Sequence, residues 1–295
     1  MTQRVLVTGS EGFTGRYVCA EFENAGWEVW GAGVQPTPGN PRYLNINLLQ
    51  PETLGLISER VKPHVVVHLA AIAFVAESDP AAFYNVNLLG TRHLLETLST
   101  AATPPLCTIL ASSASVYGNS TVEVLDETAD TRPANDYAVS KLAMEYLAKT
   151  YMTRLGIVMT RPFNYTGVGQ EARYLIPKIV NHFKARAPHI ELGNTDVARD
   201  FSDVRDIARA YRLLAEARPL GETFNLCSGE ATALETCIRL ASEITGHDIE
   251  VKVNPDFVRE KEIKVLRGNR EKIDSVIGHE RRYQIRETLE WMLRN

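Results

Sequence analysis

Short apolar runs bounded by turns recur through the first half of this chain, and stretches with helical spacing separate them. The runs fall at 4–8, 28–32, 65–69, 107–112 and 157–161, and the helical stretches at 15–25, 51–60, 79–98 and 138–155. Val65-Val66-Val67 is apolar at successive positions rather than alternate ones, as a strand buried on both faces requires. Strands of that kind alternating with helices predict an α/β fold, a doubly wound parallel sheet with helices on both faces. Gly26-Trp27 suits a tight turn between the first helix and the second strand, because glycine closes a helix in a left-handed conformation.

Thr8-Gly9-Ser10-Glu11-Gly12-Phe13-Thr14-Gly15 follows the first strand and opens the first helix. Gly9 permits the tight turn, Gly12 lets backbone approach a pyrophosphate, and Gly15 allows close helix packing. The N–H groups at the helix start then face the phosphates of a dinucleotide. In Tyr137-Ala138-Val139-Ser140-Lys141 the four-residue offset places Tyr137 and Lys141 on one helix face. An ammonium there is expected to lower the phenol pKa towards neutrality, and the hydroxyl of Ser113, after a core strand, can hold a substrate oxygen. Tyr117 lacks such a lysine, having Thr121 four positions on, and reads as a packing or pocket residue.

Past residue 161 the texture changes. A loop at 162–170, helices at 174–185 and 203–216, and short strands at 190–192 and 223–226 are followed by two helices and extended pieces over 230–295. Residues 1–161 are read as mainly an NAD(P)-binding domain and 162–295 as mainly a substrate-binding region, with crossings back to the sheet. With 295 residues, 44% of them hydrophobic, the chain can bury a large core. A net charge of −4 argues against a broad grip on nucleic acid. No leader is read at the start, and the apolar stretch 65–76 is too short for a bilayer, so a cytoplasmic protein without a membrane span is expected. Cys19, Cys107, Cys227 and Cys237 form no CxxC pair and read as buried thiols of a reducing compartment. The scattered histidines and carboxylates show no metal-ligand spacing, so no metal is expected.

The GxxGxxG loop, the length, and the Ser113, Tyr137, Lys141 order together resemble the extended short-chain dehydrogenase/reductase family. The resemblance implies a doubly wound parallel Rossmann sheet with a smaller C-terminal substrate-binding subdomain, and NADP or NAD as cofactor. It implies cofactor contacts from Gly9, Gly12, Phe13 and Gly15, from Asn47 and Leu48 at the adenine, and from Leu69, Ala70, Ala71 and Asn87. Ser113, Tyr137 and Lys141 become the catalytic triad, Lys141 also holding the nicotinamide ribose. The family commonly dimerises through the Tyr-Lys helix, where Met144, Leu147 and Tyr151 are candidate contacts that could equally face the monomer core. Trp30-Gly31-Ala32-Gly33-Val34-Gln35 carries neither the acid that favours NAD nor the base that favours NADP, and the reading leans slightly to NADP.

Sugar-nucleotide 4,6-dehydratases typically place Thr-Asp-Glu where this chain has Ser113-Ala114-Ser115, and Ala114 cannot transfer a proton. The same run is close to that of 4-epimerases, which are the main rival. The stretches Arg161–Gln170, Ile176-Pro177, Gly193-Asn194, Arg199-Asp200-Phe201-Ser202-Asp203-Val204-Arg205-Asp206, Arg259 through Glu262, and Leu266-Arg267-Gly268-Asn269 with Lys272 resemble the GDP-4-keto-6-deoxy-mannose reductase family. That family implies reduction of the C4 ketone of a GDP-linked sugar to GDP-D-rhamnose, with Asn164, Arg199 and Arg259 near the nucleotide sugar. Guanidinium groups fork onto diphosphate oxygens, and asparagine orients a phosphate or hydroxyl. Two departures touch base and sugar choice: Arg259 lacks the proline that often follows it, and Tyr165 replaces a common histidine. A non-catalytic NAD(P)-binding sensor is the alternative from another class.

Overall fold

The computed structural model describes residues 2–35, 37, 39–74, 79–120, 122–258, 264–279 and 281–295. The chain opens with β1 (Arg4–Thr8), α1 (Phe13–Asn24), β2 (Glu28–Gly33), β3 (Tyr43–Asn45) and β4 (Val65–His68). It continues with α2 (Pro80–Phe83), α3 (Thr91–Ser99), β5 (Cys107–Ala111), β6 (Val124–Leu125), α4 (Asp136–Lys149), β7 (Ile157–Pro162) and β8 (Asn164–Thr166). Then come α5 (Leu175–Lys184), β9 (His189–Leu192), β10 (Ala198–Asp203), α6 (Val204–Ala217) and β11 (Thr223–Leu226). The last part holds β12 (Ala231–Ala233), α7 (Leu234–Thr245), β13 (Glu250–Val253), β14 (Val265–Gly268), α8 (Glu271–Ile277) and α9 (Ile285–Arg294).

Seven parallel strands form the main sheet in the order β11-β7-β5-β4-β1-β2-β3. Both faces are covered, and the two-residue period of β1 shows how. Leu6 packs with Val66, Leu110, Leu94 and Met144 on one side, while Val5 and Val7 pack with Val67, Val18, Phe22 and Tyr211 on the other. Every one of these side chains is essentially excluded from water. Each stabilises the fold by roughly 1.5–3 kcal/mol relative to an exposed counterpart. β11 returns to the far edge of this sheet after a long excursion, and α6 lies against α1.

A second sheet, β12-β10-β14-β6 with β8 on β10, and a β9–β13 pair sit above the strand ends, with α5, α7 and α9 around them. Gly26 has φ of +80°, and the turn it closes leads directly into β2, as its position after the first helix predicts. Several elements differ from the sequence reading. The expected 162–170 loop contains β8, whose pairing partner is the Phe201–Asp203 part of β10, far away in sequence. The expected 51–60 helix is a 3-10 turn at Pro51–Leu54 followed by a π turn at Ile57–Val61. Within the long 79–98 stretch, Tyr84–Gly90 is a π segment between α2 and α3. The C-terminal part carries three helices among the described residues, not two; α8 is too short to show a clear period.

Candidate active site

Strand order reverses between β1 and β4, and ligands of open α/β sheets bind in the crevice beyond the carboxyl ends of strands at such a point. The 9–15 loop leaves β1 there. Gly9 has φ of +70°, and a Cβ on it would lie 2.9 Å from the Ala70 Cα; a Cβ on Gly15 would collide with the Gly9 carbonyl. Gly12 is exposed, leaving bare backbone at the mouth of the crevice, and no side chain caps the first turn of α1. That combination fits an anionic dinucleotide: unclaimed N–H groups and the positive helix end meet its phosphates. Phe13 stacks on Tyr165 with ring centroids 6.1 Å apart.

Leu69, Ala70 and Ala71 follow β4 beside this loop, held by a polar chain beneath it. The Ala70 N–H donates to Thr8 Oγ1 at 3.3 Å, and Thr8 Oγ1 lies 2.7 Å from His68 Nδ1. His68 Nε2 lies 2.9 Å from Thr91 Oγ1, whose hydroxyl donates to the Asn87 carbonyl at 2.7 Å. Since Thr91 spends its proton there, the histidine must donate from Nε2. Burial holds its pKa down to about 3, so it bridges as a neutral ring.

The π segment presents Asn87 to the loop. Its Oδ1 accepts from the Ile72 N–H at 2.9 Å, and its Nδ2 donates to the Ile72 carbonyl at 3.0 Å and to Ser140 Oγ at 3.1 Å. Asn87 thus positions the post-β4 loop against the Tyr-Lys helix. Asn47 caps the turn before Leu49, its Oδ1 accepting from the Leu49 N–H at 2.9 Å, and Leu48 is buried beside it.

Asn135, not residue 138, starts the Tyr-Lys helix, accepting from the Ala138 N–H at 2.9 Å. Tyr137 therefore falls in the first turn, partly exposed, with Phe83 at 5.9 Å. Ser113 follows β5, buried, and its Oγ accepts from the Ser115 N–H at 3.1 Å. Lys141 is buried, and its Nζ donates to the Ala111 carbonyl at 2.7 Å. Loss of hydration pulls its pKa down to about 8 against the attraction of Glu145. Contrary to the expected lowering, the Tyr137 phenol is pushed up to about 12 by burial, with the Ser113 hydroxyl opposing the shift. The Lys141 ammonium is directed instead at the carbonyl that ends β5. A neutral phenol beside a serine hydroxyl, with a cation one turn below, can give a proton to an oxygen that becomes negative.

Asn164 lies exposed on β8 opposite Phe201, two residues along β10 from Arg199. Arg199 is half-buried, and its Nη1 donates to the Ala198 carbonyl at 2.9 Å. Arg259, like Glu260, Lys261, Glu262 and Thr121, lies outside the described residues. Among the described residues no group of histidine, cysteine and carboxylate side chains is placed to hold a metal ion, and no helix is long and apolar enough to cross a membrane.

The NAD dependent epimerase/dehydratase family matches residues 5–227. The chain belongs to this family. The GDP-6-deoxy-D-talose 4-dehydrogenase of Aggregatibacter actinomycetemcomitans is 35% identical over 295 residues, covering 99% of this chain and 97% of the relative. The GDP-6-deoxy-D-mannose reductase of Pseudomonas aeruginosa PAO1 is 33% identical, with 99% and 97% covered. A solved structure, RMD from Pseudomonas aeruginosa with NADPH, superimposes with a TM-score of 0.86 at 30% identity, with 99% and 98% covered.

In this epimerase/dehydratase family member, the contacts that hold the site together lay beyond the sequence reading, although it named the residues that make several of them. Arg161 makes two bonds to the Glu145 carboxylate at 2.9 and 2.7 Å and donates to Tyr117 Oη at 3.1 Å. Tyr117, fully buried, donates a hydrogen bond to Asn225 Oδ1 at 2.7 Å, as befits the packing residue that the sequence predicts. Asp200, beside Arg199, is fully buried and takes the N–H groups of Ser228, Gly229 and Gly268. Asp203 caps α6 and pairs with Arg205, whose guanidinium lies 3.6 Å from the Tyr283 ring centre and 3.8 Å from that of Trp291. The acids of the 199–206 motif thus serve architecture beside the candidate substrate arginine. Met144 and Tyr151 face the monomer core, with Leu147 packed against it, so the exposed α4 side chains are others, Val139 and Tyr146 among them. Cys107, Cys227 and Cys237 are buried and Cys19 half-buried. Burial pushes Cys19, Cys107 and Cys237 up to about 12, away from thiolate.

Proposed function

We propose that this protein reduces the C4 ketone of a 4-keto-6-deoxy nucleotide sugar, GDP-4-keto-6-deoxy-D-mannose, to GDP-D-rhamnose. The observation that carries the reading is the meeting of Ser113, Tyr137 and Lys141 at the end of β5 beside the 9–15 loop. The 9–15 loop, Asn47–Leu48, the 69–71 segment and Asn87 would hold NADH or NADPH, which supplies a hydride to the sugar C4 when bound. Ser113 hydrogen-bonds the ketone oxygen and fixes its distance from Tyr137. The Tyr137 phenol gives its proton to that oxygen as it becomes an alkoxide, and Lys141 stabilises the phenolate left behind. Asn164, Arg199 and Arg259 hold the diphosphate and sugar. Ala114, buried beside Ser113, leaves no acid there for elimination of water, which separates this site from a dehydratase.

In this reading residues 1–161 serve mainly the dinucleotide and 162–295 mainly the sugar, and the protein works in the cytoplasm as a homodimer. The deciding experiment mixes purified protein and reduced dinucleotide with freshly made GDP-4-keto-6-deoxy-D-mannose, alongside UDP- and dTDP-sugars. One dinucleotide oxidised per C4 alcohol formed is the expected result. NMR of the product then reports the C4 configuration, a talo product placing the hydride on the opposite face. Inversion at C4 without net dinucleotide use would make the protein an epimerase. Tight dinucleotide binding with no turnover on any sugar would make it a sensor.

A further inference from the structure

We propose that Glu11 selects the dinucleotide: its carboxylate reaches from the glycine loop to the end of β2, where it receives the adenine-ribose hydroxyls of NAD(H) and repels the 2′-phosphate of NADP(H). The inference rests on the dinucleotide reading above and deepens it.

In sheets of this type the adenine ribose lies off the end of the second strand, where an acid or a base decides between the two cofactors. The strand itself offers neither, since Gly33, Val34 and Gln35 are uncharged. The loop supplies what the strand lacks. A Cβ on Gly33 would collide with the Glu11 carboxylate and lie 2.9 Å from Tyr43 Oη. One turn of pleat earlier, a Cβ on Gly31 would lie 2.6 Å from Ser10 Oγ, and Ser10 in turn donates to Glu11 Oε1 at 3.4 Å. The two glycines of β2 therefore clear a slot into which Ser10 and Glu11 fold. Tyr43, buried on the neighbouring strand, forms its floor, and its phenol is raised by burial first and then by Glu11, as a nearby carboxylate requires. Glu11 remains half-exposed, on the loop that leaves β1 at the crevice. Arg42, the residue before β3, stands at the amino end of that strand, whereas the slot opens at the carboxyl ends.

A carboxylate accepts hydrogen bonds from a vicinal diol but cannot donate to a phosphate. A phosphate monoester carries about −1.5 to −2 charges at pH 7, so the same carboxylate repels it. The effect is electrostatic and falls with added salt once separations approach the Debye length of about 8–10 Å.

The test is binding, read without the sugar and without turnover. NADH and NADPH are titrated by fluorescence against wild type, Glu11→Gln and Glu11→Ala, and ADP and 2′,5′-ADP by calorimetry against the same three proteins. Circular dichroism confirms that the variants are folded, and Glu11→Ser, which also removes the carboxylate, replaces any that is not. Wild type is expected to hold NADH about tenfold or more tighter than NADPH. Both substitutions should shrink that ratio by about tenfold, Glu11→Gln chiefly through tighter NADPH, and 2′,5′-ADP should follow NADPH. Equal or tighter NADPH binding by wild type overturns the proposal, as does a ratio that stays within about twofold in both variants. Failure of wild type to bind either dinucleotide overturns the dinucleotide reading along with it, which separates the two failures.

Discussion

Tyr137 and Lys141 sit four positions apart, yet their surroundings push them in different directions. Tyr137 is held as a neutral phenol, so Tyr137→Phe keeps the ring against Phe83 and removes only the proton. Turnover should fall by roughly 10²–10⁴ while NADH affinity changes little. Steady-state rates and a separate titration check both halves, and a near-normal rate would reject Tyr137 as the acid. Lys141 is brought to about 8 from its ordinary value of 10.5. Between those pH values the folded protein binds fewer protons at this site than the unfolded chain, so its contribution to stability rises with pH. Lys141→Met abolishes that term. Its stability advantage over wild type should shrink as pH climbs from about 8 towards 10.5, as measured by urea unfolding. The spacing of Tyr137 and Lys141 was legible, because an i, i+4 pair on a helix needs only local geometry. Glu11 was not, because its role depends on Gly33, which the fold brings to it from the next strand.

At the scale of elements, strands of the main sheet were readable where every residue is apolar, as in Val65-Val66-Val67, or where alternating residues face two cores, as in Val5-Leu6-Val7. β8 and β6 were not, since three-residue and two-residue strands have no period and exist only because β10 and β14 pair with them. The π segment was equally hidden, for its apolar spacing differs from that of an α-helix by one residue in a single turn. It aims Asn87 at Ile72 and Ser140 together. The helix carrying Tyr137 and Lys141 is anchored at its other end by Glu145, whose pairing with Arg161 leaves both side chains almost without solvent. Glu145→Ala would strand a buried guanidinium and should cost about 3–5 kcal/mol. It should also lower the Lys141 pKa further, because Glu145 is the group that raises it. Chemical unfolding reports the first effect, and a leftward shift of the alkaline limb of the pH–rate profile reports the second.

Over the whole molecule, the two sheets are joined by aromatic and charged contacts as well as by an apolar cluster that brings Leu125 of β6 and Leu266 of β14 together with Leu142 of α4. Trp291 of α9 meets Tyr17 of α1 at 5.9 Å and lies against Arg205 of α6, tying the C-terminal helix to elements of the main sheet. Trp291→Ala should cost about 2–4 kcal/mol, below the range for a fully buried tryptophan because this one is partly exposed. The expected calorimetric signature is one lowered transition; two separate transitions would mean that the layers unfold independently. Tyr165 gives a second tie. It neighbours Asn164, stacks on Phe13 and shares a 2.7 Å hydrogen bond with Thr14 at the start of α1. One ring is thus a common wall for the phosphate end of the crevice and for the strand proposed to meet the sugar. Ligands that press on opposite sides of one wall do not bind independently, and thermodynamics makes their influence mutual. NADH should tighten GDP by the same factor by which GDP tightens NADH, and Tyr165→Ala, which removes the ring, should bring that shared factor towards one. Cofactor and sugar would then be admitted as partners, each preparing the room for the other.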